Sequence, residues 1–386
     1  MKLLLIVDFG IGFIVMGRID RMAKNKNLSR AGVAKQDEFY TTYDSIQSEM
    51  NYFSDGVFEG KTVFCNCDDP FESNFTRFFL RNFNYLKLKR LICTSYSGSQ
   101  MTGTQLSLFD DYDEPVTGSC SYGYVLDIDN VPMANGRGVS DEDIDTLLHT
   151  TNVVKRLNGN GDFESKECVE YLKQSDIVVT NPPFSKFRLY VKQLMDYQKK
   201  FLIIGNQNAI TYKEIFPLLK ANQMWLGMPF PRGNAYFIIP KGYDTSRFAK
   251  GVYNPETRQV KFRNVLWFTN LDYKQRHEDL VLYKQYNADE YPMYDNYDAI
   301  NVDKTADIPM DYAGIMGVPV TFINHYNPEQ FEIIGLAAGN SRATGLYGTA
   351  RYTPNKVDRG GCGVVNGKRK YARMLIKAKK VQYFEN

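Results

Sequence analysis

The sequence predicts an α/β fold: a sheet built from alternating strands and helices, closed by antiparallel end strands and followed by a separate C-terminal region. Three observations carry this. From residue 61 to 227, short apolar, β-branched runs alternate with segments whose apolar residues recur at helical spacing. Ala235 to Ile239 and Val260 to Thr269 then read as an antiparallel pair at the end of the sheet. From about residue 272 the texture changes, with Tyr, Asp and Asn dominating as far as Pro309. The expected parts are an N-terminal extension or mobile arm over 1–34, an α/β domain over 35–271 and a second region over 272–386.

Met1 to Met16 is the one targeting-like stretch. Asp8 interrupts its apolar run, no small-residue cleavage site follows, and it is too short to span a membrane. We read residues 1–21 as an extension ahead of Met22 rather than as a signal peptide. Asn25 to Gln36 is polar and basic and reads as a mobile arm. After Phe39-Tyr40-Thr41 a helical pattern begins, with Thr42 or Asp44 as N-cap and Ile46, Met50 and Phe53 on one face. It reads either as an amphipathic surface helix or as a lid whose leading residues, Phe39, Tyr40 and Thr41, contact the amino-acid end of a cofactor.

Lys61 to Asn66 is the first strong strand, and Phe75, Phe78, Phe79 and Phe83 mark the helix after it. The polar loop between them, Cys67 to Asn74, ends at a helix N-terminus, which favours carboxylate or hydroxyl ligands. It lacks the glycines that usually let a backbone approach a ligand, so spacing alone is a weak signal there. Cys65 and Cys67 have no second Cys or His pair at ligand spacing, so no metal site is expected. Arg90 to Thr94 is the second strand, and Ser95-Tyr96 follows it where an acidic residue often holds ribose hydroxyls. Ser97 to Ser119 reads as a polar, acidic insertion, Tyr122 to Ile128 as an edge strand, and Asp141 to Asp145 as solvated surface.

Gly159-Asn160-Gly161-Asp162-Phe163 leads into a helix from about Ser165 to Gln174. Glycines beside an Asp and an aromatic suit purine recognition, with Asp162 accepting from an adenine amine and Phe163 packing on its ring. An Asx turn capping the helix explains the same residues equally well.

Asp176 to Thr180 is a buried strand that stops at Asn181-Pro182-Pro183-Phe184, because two prolines cannot continue a central strand. They stiffen a loop at the strand's carboxyl end, where open α/β sheets bind ligands. A neutral exocyclic amine is a poor nucleophile, since its lone pair is delocalised into the ring. Two acceptors aimed at its N–H groups favour a pyramidal, more nucleophilic nitrogen. The Asn181 side-chain carbonyl and the Pro182 backbone carbonyl are those acceptors, and Phe184 offers an aromatic face to a planar base. Asn is no general base at neutral pH, so the expected chemistry is methyl transfer with the proton lost to water. The other reading is a tight turn that happens to hold two prolines.

Phe187, Tyr190, Val191, Leu194 and Met195 form a helical stripe read as core, and Phe201 to Gly205 is the next strand. Thr211 and Glu214 read as a capping box ahead of Ile215-Phe216, and Met224 to Gly227 as another strand. Further on, Gly317 to Phe322 and Phe331 to Gly335 read as strands, and Ser341 to Gly363 as a Gly-, Arg- and Asn-rich loop. Lys368 to Lys380 holds seven basic residues and no acidic one. It reads as a strand or hairpin that contacts phosphates, or as an edge strand kept soluble by charge.

The 386 residues, 43% hydrophobic and 24% charged, have ordinary globular composition. A net charge of +3 does not by itself demand a polyanionic partner. The surplus of Tyr and Phe suits base stacking. Six scattered Cys in a chain this large fit a reducing cytoplasm.

Together these stretches resemble the EcoRI-type adenine-specific DNA methyltransferase family. The resemblance rests on Asp37-Glu38-Phe39-Tyr40-Thr41, on Cys65-Asn66-Cys67-Asp68-Asp69-Pro70 with Ser73-Asn74-Phe75, and on Gly161-Asp162-Phe163. Asn181-Pro182-Pro183-Phe184, Trp267-Phe268-Thr269-Asn270 and Gly317-Val318-Pro319 complete it, from about residue 35 to 380. The glycine-free first loop is characteristic of that family. The resemblance implies a class I, Rossmann-like methyltransferase fold, S-adenosylmethionine as donor, and an adenine flipped out of double-stranded DNA for modification at N6. It further implies a cytoplasmic restriction–modification or phage-borne setting, with target recognition in the C-terminal third. A monomer without membrane association is expected. The catalytic residues it implies are Asn181, Pro182, Pro183 and Phe184. Its cofactor contacts are Phe39, Tyr40, Thr41, Asn66, Asp68, Asp69, Asn74, Asp162, Phe163 and Asn181, and the ribose contact is unassigned. Two alternatives stand beside it: an amino-methyltransferase acting on RNA or protein glutamine, and a catalytically silent DNA-binding relative. The basic C-terminal end argues against the protein substrate, and the intact Asn181 to Phe184 against the silent relative.

Overall fold

The computed structural model describes residues 39–53, 56–96, 122–133, 138–150, 153–239 and 245–381. The extension and arm expected over 1–34, the Asp37-Glu38 pair and the insertion over Ser97 to Ser119 lie outside the described residues. Strand β1 (Tyr40–Thr41) precedes helix α1 (Tyr43–Met50), and β2 (Thr62–Cys65) precedes α2 (Asn74–Arg81). Next come β3 (Arg90–Thr94), β4 (Tyr124–Ile128), α3 (Asp141–Leu148) and β5 (Val154–Arg156). Then follow α4 (Lys166–Gln174), β6 (Ile177–Thr180), α5 (Phe187–Asp196), β7 (Lys200–Asn206), α6 (Phe216–Lys220) and β8 (Trp225–Leu226). β9 (Asn234–Ile238), β10 (Tyr253–Asn254) and β11 (Gln259–Arg263) precede β12 (Val265–Thr269).

The main sheet has the order β5-β4-β3-β2-β6-β7-β12-β8. β3, β2, β6 and β7 are mutually parallel, while β4, β5, β12 and β8 run antiparallel to their neighbours. The parallel strands are apolar throughout because both faces are covered. Alternate residues serve opposite sides. Phe64, Val178 and Ile203 share a core with Leu172 of α4 and Tyr190 and Leu194 of α5. Val63, Val179 and Leu202 share the other core with Ile46 of α1 and Phe75 and Phe79 of α2.

Several expectations are corrected. Val260 to Thr269 is two strands, because the chain turns at Asn264, whose φ is +63°, a region Asn tolerates better than most residues. β11 stays in a second sheet, β1-β9-β11-β10, while β12 crosses to pair with β7. The pairing of β9 with β11 is therefore real, but it does not end the main sheet. β4 is not an edge, since β5 covers it. Thr211 and Glu214 form no capping box: Thr211 closes a 3-10 turn and its hydroxyl donates to the Asn208 carbonyl. Pro217 in the first turn sets where α6 starts.

In the C-terminal region β13 (Ile300–Asn301), β14 (Ile315–Pro319) and β15 (Phe331–Ala337) precede a hairpin of β16 (Val364–Val365) and β17 (Lys368–Arg369). β18 (Arg373–Ala378) completes a third sheet ordered β13-β14-β18-β15. The strand expected over Gly317 to Phe322 thus ends at Pro319. β18 is an interior strand, which overturns the edge reading for Arg373 to Ala378, while Lys368–Arg369 lie in the separate two-stranded hairpin. Three of the seven cations from Lys368 to Lys380 are engaged: Arg373 and Lys370 both pair with Asp303, and Lys379 Nζ donates to the Pro328 carbonyl. Lys220 of α6 donates to the Ile334 carbonyl at 2.7 Å and ties this sheet to the first. No described helix is long and apolar enough to cross a membrane.

Helix α1 is anchored by a buried carboxyl. Glu49 is 3% exposed and accepts from the Met228 N–H at 3.2 Å. Gly227 makes room for it, since a Cβ there would stand 2.1 Å from Glu49 Oε1. Burial pushes the Glu49 carboxyl from an ordinary 4.5 up to about 8, against the hydrogen bond, which lowers it. Between those values the unfolded chain has released this proton and the folded chain still holds it, so stability falls as pH rises through that window. Glu49→Gln keeps an acceptor for Met228 and removes the titration. In parallel thermal melts from about pH 5 to about pH 8, the variant's Tm should fall less than the wild type's. Identical slopes would show that Glu49 ionises in the ordinary range.

Candidate active site

The carboxyl ends of β2, β3 and β6 lie side by side because these strands are parallel, and the candidate residues collect there. β6 runs directly into Asn181. Phe184–Lys186 then form a 3-10 turn, closed by the Lys186 N–H donating to the Pro183 carbonyl at 3.0 Å. The neighbouring Pro182 carbonyl accepts no backbone hydrogen bond among the described residues. Phe184 is half-buried and packs on the core beneath α1 and α2.

Asn181 Nδ2 donates to the Phe39 carbonyl at 2.7 Å. A carbonyl can only accept, so this bond decides which end of the amide faces it. Asn181 Oδ1 is left buried without a donor. Such an atom costs about 1–3 kcal/mol unless an N–H from a ligand meets it. Asn74, the first residue of α2, makes the matching contact, its Nδ2 donating to the Thr41 carbonyl at 2.7 Å. Two side-chain amides therefore pin β1 across the loop ends, while β9 pairs with it in the second sheet. Tyr40, between the two pinned carbonyls, is half-buried.

Asn66, at the end of β2, has the opposite polarity. Its Oδ1 accepts from the Tyr190 hydroxyl, which leaves Nδ2 buried without an acceptor. Thr41 Oγ1 is likewise buried and unpartnered. Asn181, Asn66 and Thr41 thus present one acceptor, one donor and one hydroxyl that the protein does not satisfy, and the Thr94 hydroxyl at the end of β3 is unsatisfied as well.

Asp68 ties the loops together. Its Oδ1 accepts from Ser73 Oγ at 2.7 Å, its Oδ2 from the Thr180 hydroxyl, and the Asn181 backbone N–H also donates to it. Burial raises its carboxyl to about 7 in spite of those bonds. Asp69 accepts from the Phe71 and Glu72 N–H groups at 2.9 and 3.1 Å, and burial raises it to about 6.

Gly161 has φ +74°, and a Cβ there would stand 1.9 Å from the Ser95 carbonyl oxygen, so only glycine lets this loop close on the end of β3. The Asx turn is present: Asp162 Oδ1 accepts from the Glu164 N–H at 2.9 Å. Its Oδ2 pairs with Lys186 Nζ at 2.8 Å. Lys186 also sits 5.1 Å from the centre of the Phe163 ring, and Tyr190 meets that ring edge-on at 5.0 Å. Phe163 is 4% exposed, so stacking on a purine requires Lys186 to swing aside. The end of β3 offers no carboxylate; the Ser95 hydroxyl accepts from the Tyr124 N–H at 3.1 Å.

Thr180, Lys186 and Tyr190 hold the site together, yet sequence reasoning assigns none of them to it, and Ser73, which binds Asp68, enters there only as part of the Ser73-Asn74-Phe75 stretch. A lone hydroxyl ending an apolar strand, as at Thr180, is the one signal that could have found it, and it goes unread. Tyr190 sits in an apolar helical stripe, which hides its hydroxyl from any reading of periodicity.

The family described as adenine-specific methyltransferase EcoRI matches residues 27–379. The chain is 43% identical over 364 residues to the type II methyltransferase M.EcoRI of Escherichia coli, covering 94% of this chain and 99% of that one. It is 35% identical to the type II methyltransferase M.MgeORF184P of Mycoplasma genitalium, over 92% of this chain and 99% of the relative. It is 34% identical to the type II methyltransferase M.MpnI of Mycoplasma pneumoniae, over 90% and 97%. No solved structure matches it. A match that spans nearly the whole chain includes β1, the Asn181 loop and the C-terminal sheet alike, and the chain belongs to the adenine-specific methyltransferase EcoRI family.

Proposed function

We propose that this chain transfers a methyl group from S-adenosylmethionine to N6 of adenine in double-stranded DNA, with the target base flipped out of the duplex. It works in the cytoplasm as a monomer, in a restriction–modification or phage-borne setting. The observation that carries this reading is Asn181 Oδ1: a buried amide oxygen without a donor, held at the end of β6 in a family of adenine-specific methyltransferases. A parallel core with an antiparallel β12 supports a class I, Rossmann-like sheet. The region 272–386 carries target recognition.

The residues present fit the donor. Thr41 Oγ1 and Asn66 Nδ2, both buried and unpartnered, suit its polar groups, and Asp162 with Phe163 would take its adenine once Lys186 swings off both of them. Phe39, Tyr40 and Asn74 form or hold the wall beside it, and Asp68 and Asp69 shape the loop beneath. S-adenosylmethionine supplies an electrophilic sulfonium methyl group. Asn181 Oδ1 and the Pro182 carbonyl accept the two N–H groups of the target amine and draw its lone pair out of conjugation. Pro183 and Pro182 keep the loop stiff while this happens. Asp68 holds Asn181 in place through its backbone N–H. Asn181 takes no proton, so the amine's proton leaves to water. Phe184 covers one face of the base.

With labelled donor, duplex DNA should yield N6-methyladenine, while RNA and protein should remain unlabelled; label in either of those would replace the substrate. Asn181→Ala should slow methyl transfer by about 10²–10³, or about 2.7–4 kcal/mol. Calorimetry should find its donor affinity nearly intact, and near wild-type turnover would refute the assigned role. Phe184→Ala should lose about 1–3 kcal/mol in combined binding and rate, and Phe184→Tyr should keep most of it. Equal behaviour of those two variants would remove stacking from the account.

A further inference from the structure

The segment from Gly339 to Gly363, which opens on a short helix over Ser341–Thr344 where a loop is expected, and the β16–β17 hairpin carry cations that the protein does not neutralise. Arg342, Lys356, Arg359, Lys368 and Arg369 are exposed and form no ion pair among the described residues. Asp358 is the one acidic residue from Ile333 to Tyr371, and it is 2% exposed. Its oxygens are taken by the loop itself, accepting from the Tyr352 hydroxyl, the Asn355 N–H at 3.1 Å and the Gly360 N–H at 2.8 Å.

The same loop brings three guanidinium-bearing residues together. The Arg342 N–H donates to the Gly360 carbonyl at 2.9 Å, and the Asn340 N–H to the Arg359 carbonyl at 3.3 Å. Residues 340–342 therefore lie against 359–360. Arg369 stands opposite Val364 in the hairpin, and the Cys362 thiol feels the charges of both Arg359 and Arg369. Lys370 and Arg373, next along the chain, are already paired with Asp303. Arg359 also occupies φ +53°, in a turn completed by Gly360 and Gly361, where glycine would be the easier residue.

We propose that Arg342, Arg359 and Arg369 clamp the phosphodiester backbone of the duplex, positioning it rather than reading its bases. This rests on the DNA-methylating reading above. The planar guanidinium fork matches phosphate oxygens two at a time. Phosphate contacts fix register and orientation but carry no sequence.

The test titrates two duplexes, one that the wild-type enzyme methylates and one that it does not, at several salt concentrations. Arg359→Gly should weaken both alike and lower the slope of log affinity against log salt by about 0.9. It should melt no lower than wild type, because glycine relieves the backbone at that position. Replacing Arg342, Arg359 and Arg369 together by Ala should lower the slope by about 2.7, and Arg359→Lys should retain part of the contact. Weakening confined to the methylated duplex would overturn the clamp and make these residues base readers. Affinity lost only together with melting temperature would make Arg359 structural. Unchanged affinity and slope, with methylation intact, would overturn the clamp and leave the methyltransferase reading standing. A wild-type enzyme that methylates no duplex would remove both.

Discussion

The hydrogen bond from Asn181 Nδ2 to the Phe39 carbonyl is the contact on which the site depends. It joins the end of the central strand to the segment that enters the fold ahead of α1. An amide has two chemically opposite ends, and only an environment of fixed polarity can choose between them. Here a backbone carbonyl makes that choice, and the amide oxygen is left buried without a donor. Asn74 holds the same segment one step further along, and Asp68 holds Asn181 from behind through the backbone. The sheet supplies the frame; these few polar bonds set the orientation.

That arrangement accepts a thermodynamic cost. Glu49, Asp68 and Asp69 are buried carboxyls whose pKa values burial raises, although each receives hydrogen bonds that act the other way. All three press stability in the same direction, downward as pH rises above the ordinary carboxylate range. Each of them fastens a loop or helix that touches the site: α1, the Asn181 strand end, or the turn before α2. Buried carboxyls persist where a packed apolar group could not accept several N–H or O–H groups at once.

Much of this was legible in the sequence wherever the signal is local. Apolar runs at Val63-Phe64, Leu91-Ile92 and Ile177 to Val179 gave strands in the right places, and Pro182-Pro183 marked the end of one of them. Gly161 reads as part of a purine-recognition loop, whereas its place is set by the close approach to the Ser95 carbonyl, which local pattern does not show. What local pattern cannot show is pairing across the chain. Asn181 and Phe39 are 142 residues apart, and nothing in either neighbourhood names the other. The break at Asn264 sends one half of an apolar run to each of two sheets, which periodicity reads as one strand. The basic run near the C-terminus reads as uniformly free charge, yet Lys370 and Arg373 find Asp303 from 67 and 70 residues away. The neighbouring Arg-rich loop, read only as a loop, keeps its charges exposed.

The most direct test of the account is the single-turnover rate of methyl transfer by Asn181→Asp, compared with wild type and Asn181→Ala. Aspartate keeps an oxygen where Oδ1 stands, and as a stronger acceptor it should suffice if acceptance alone mattered. It cannot donate to the Phe39 carbonyl, and its second oxygen would face that carbonyl with like polarity. If orientation by Phe39 is what makes Asn181 effective, Asn181→Asp should fall close to the Ala variant while donor affinity holds. A wild-type rate from Asn181→Asp would contradict the account.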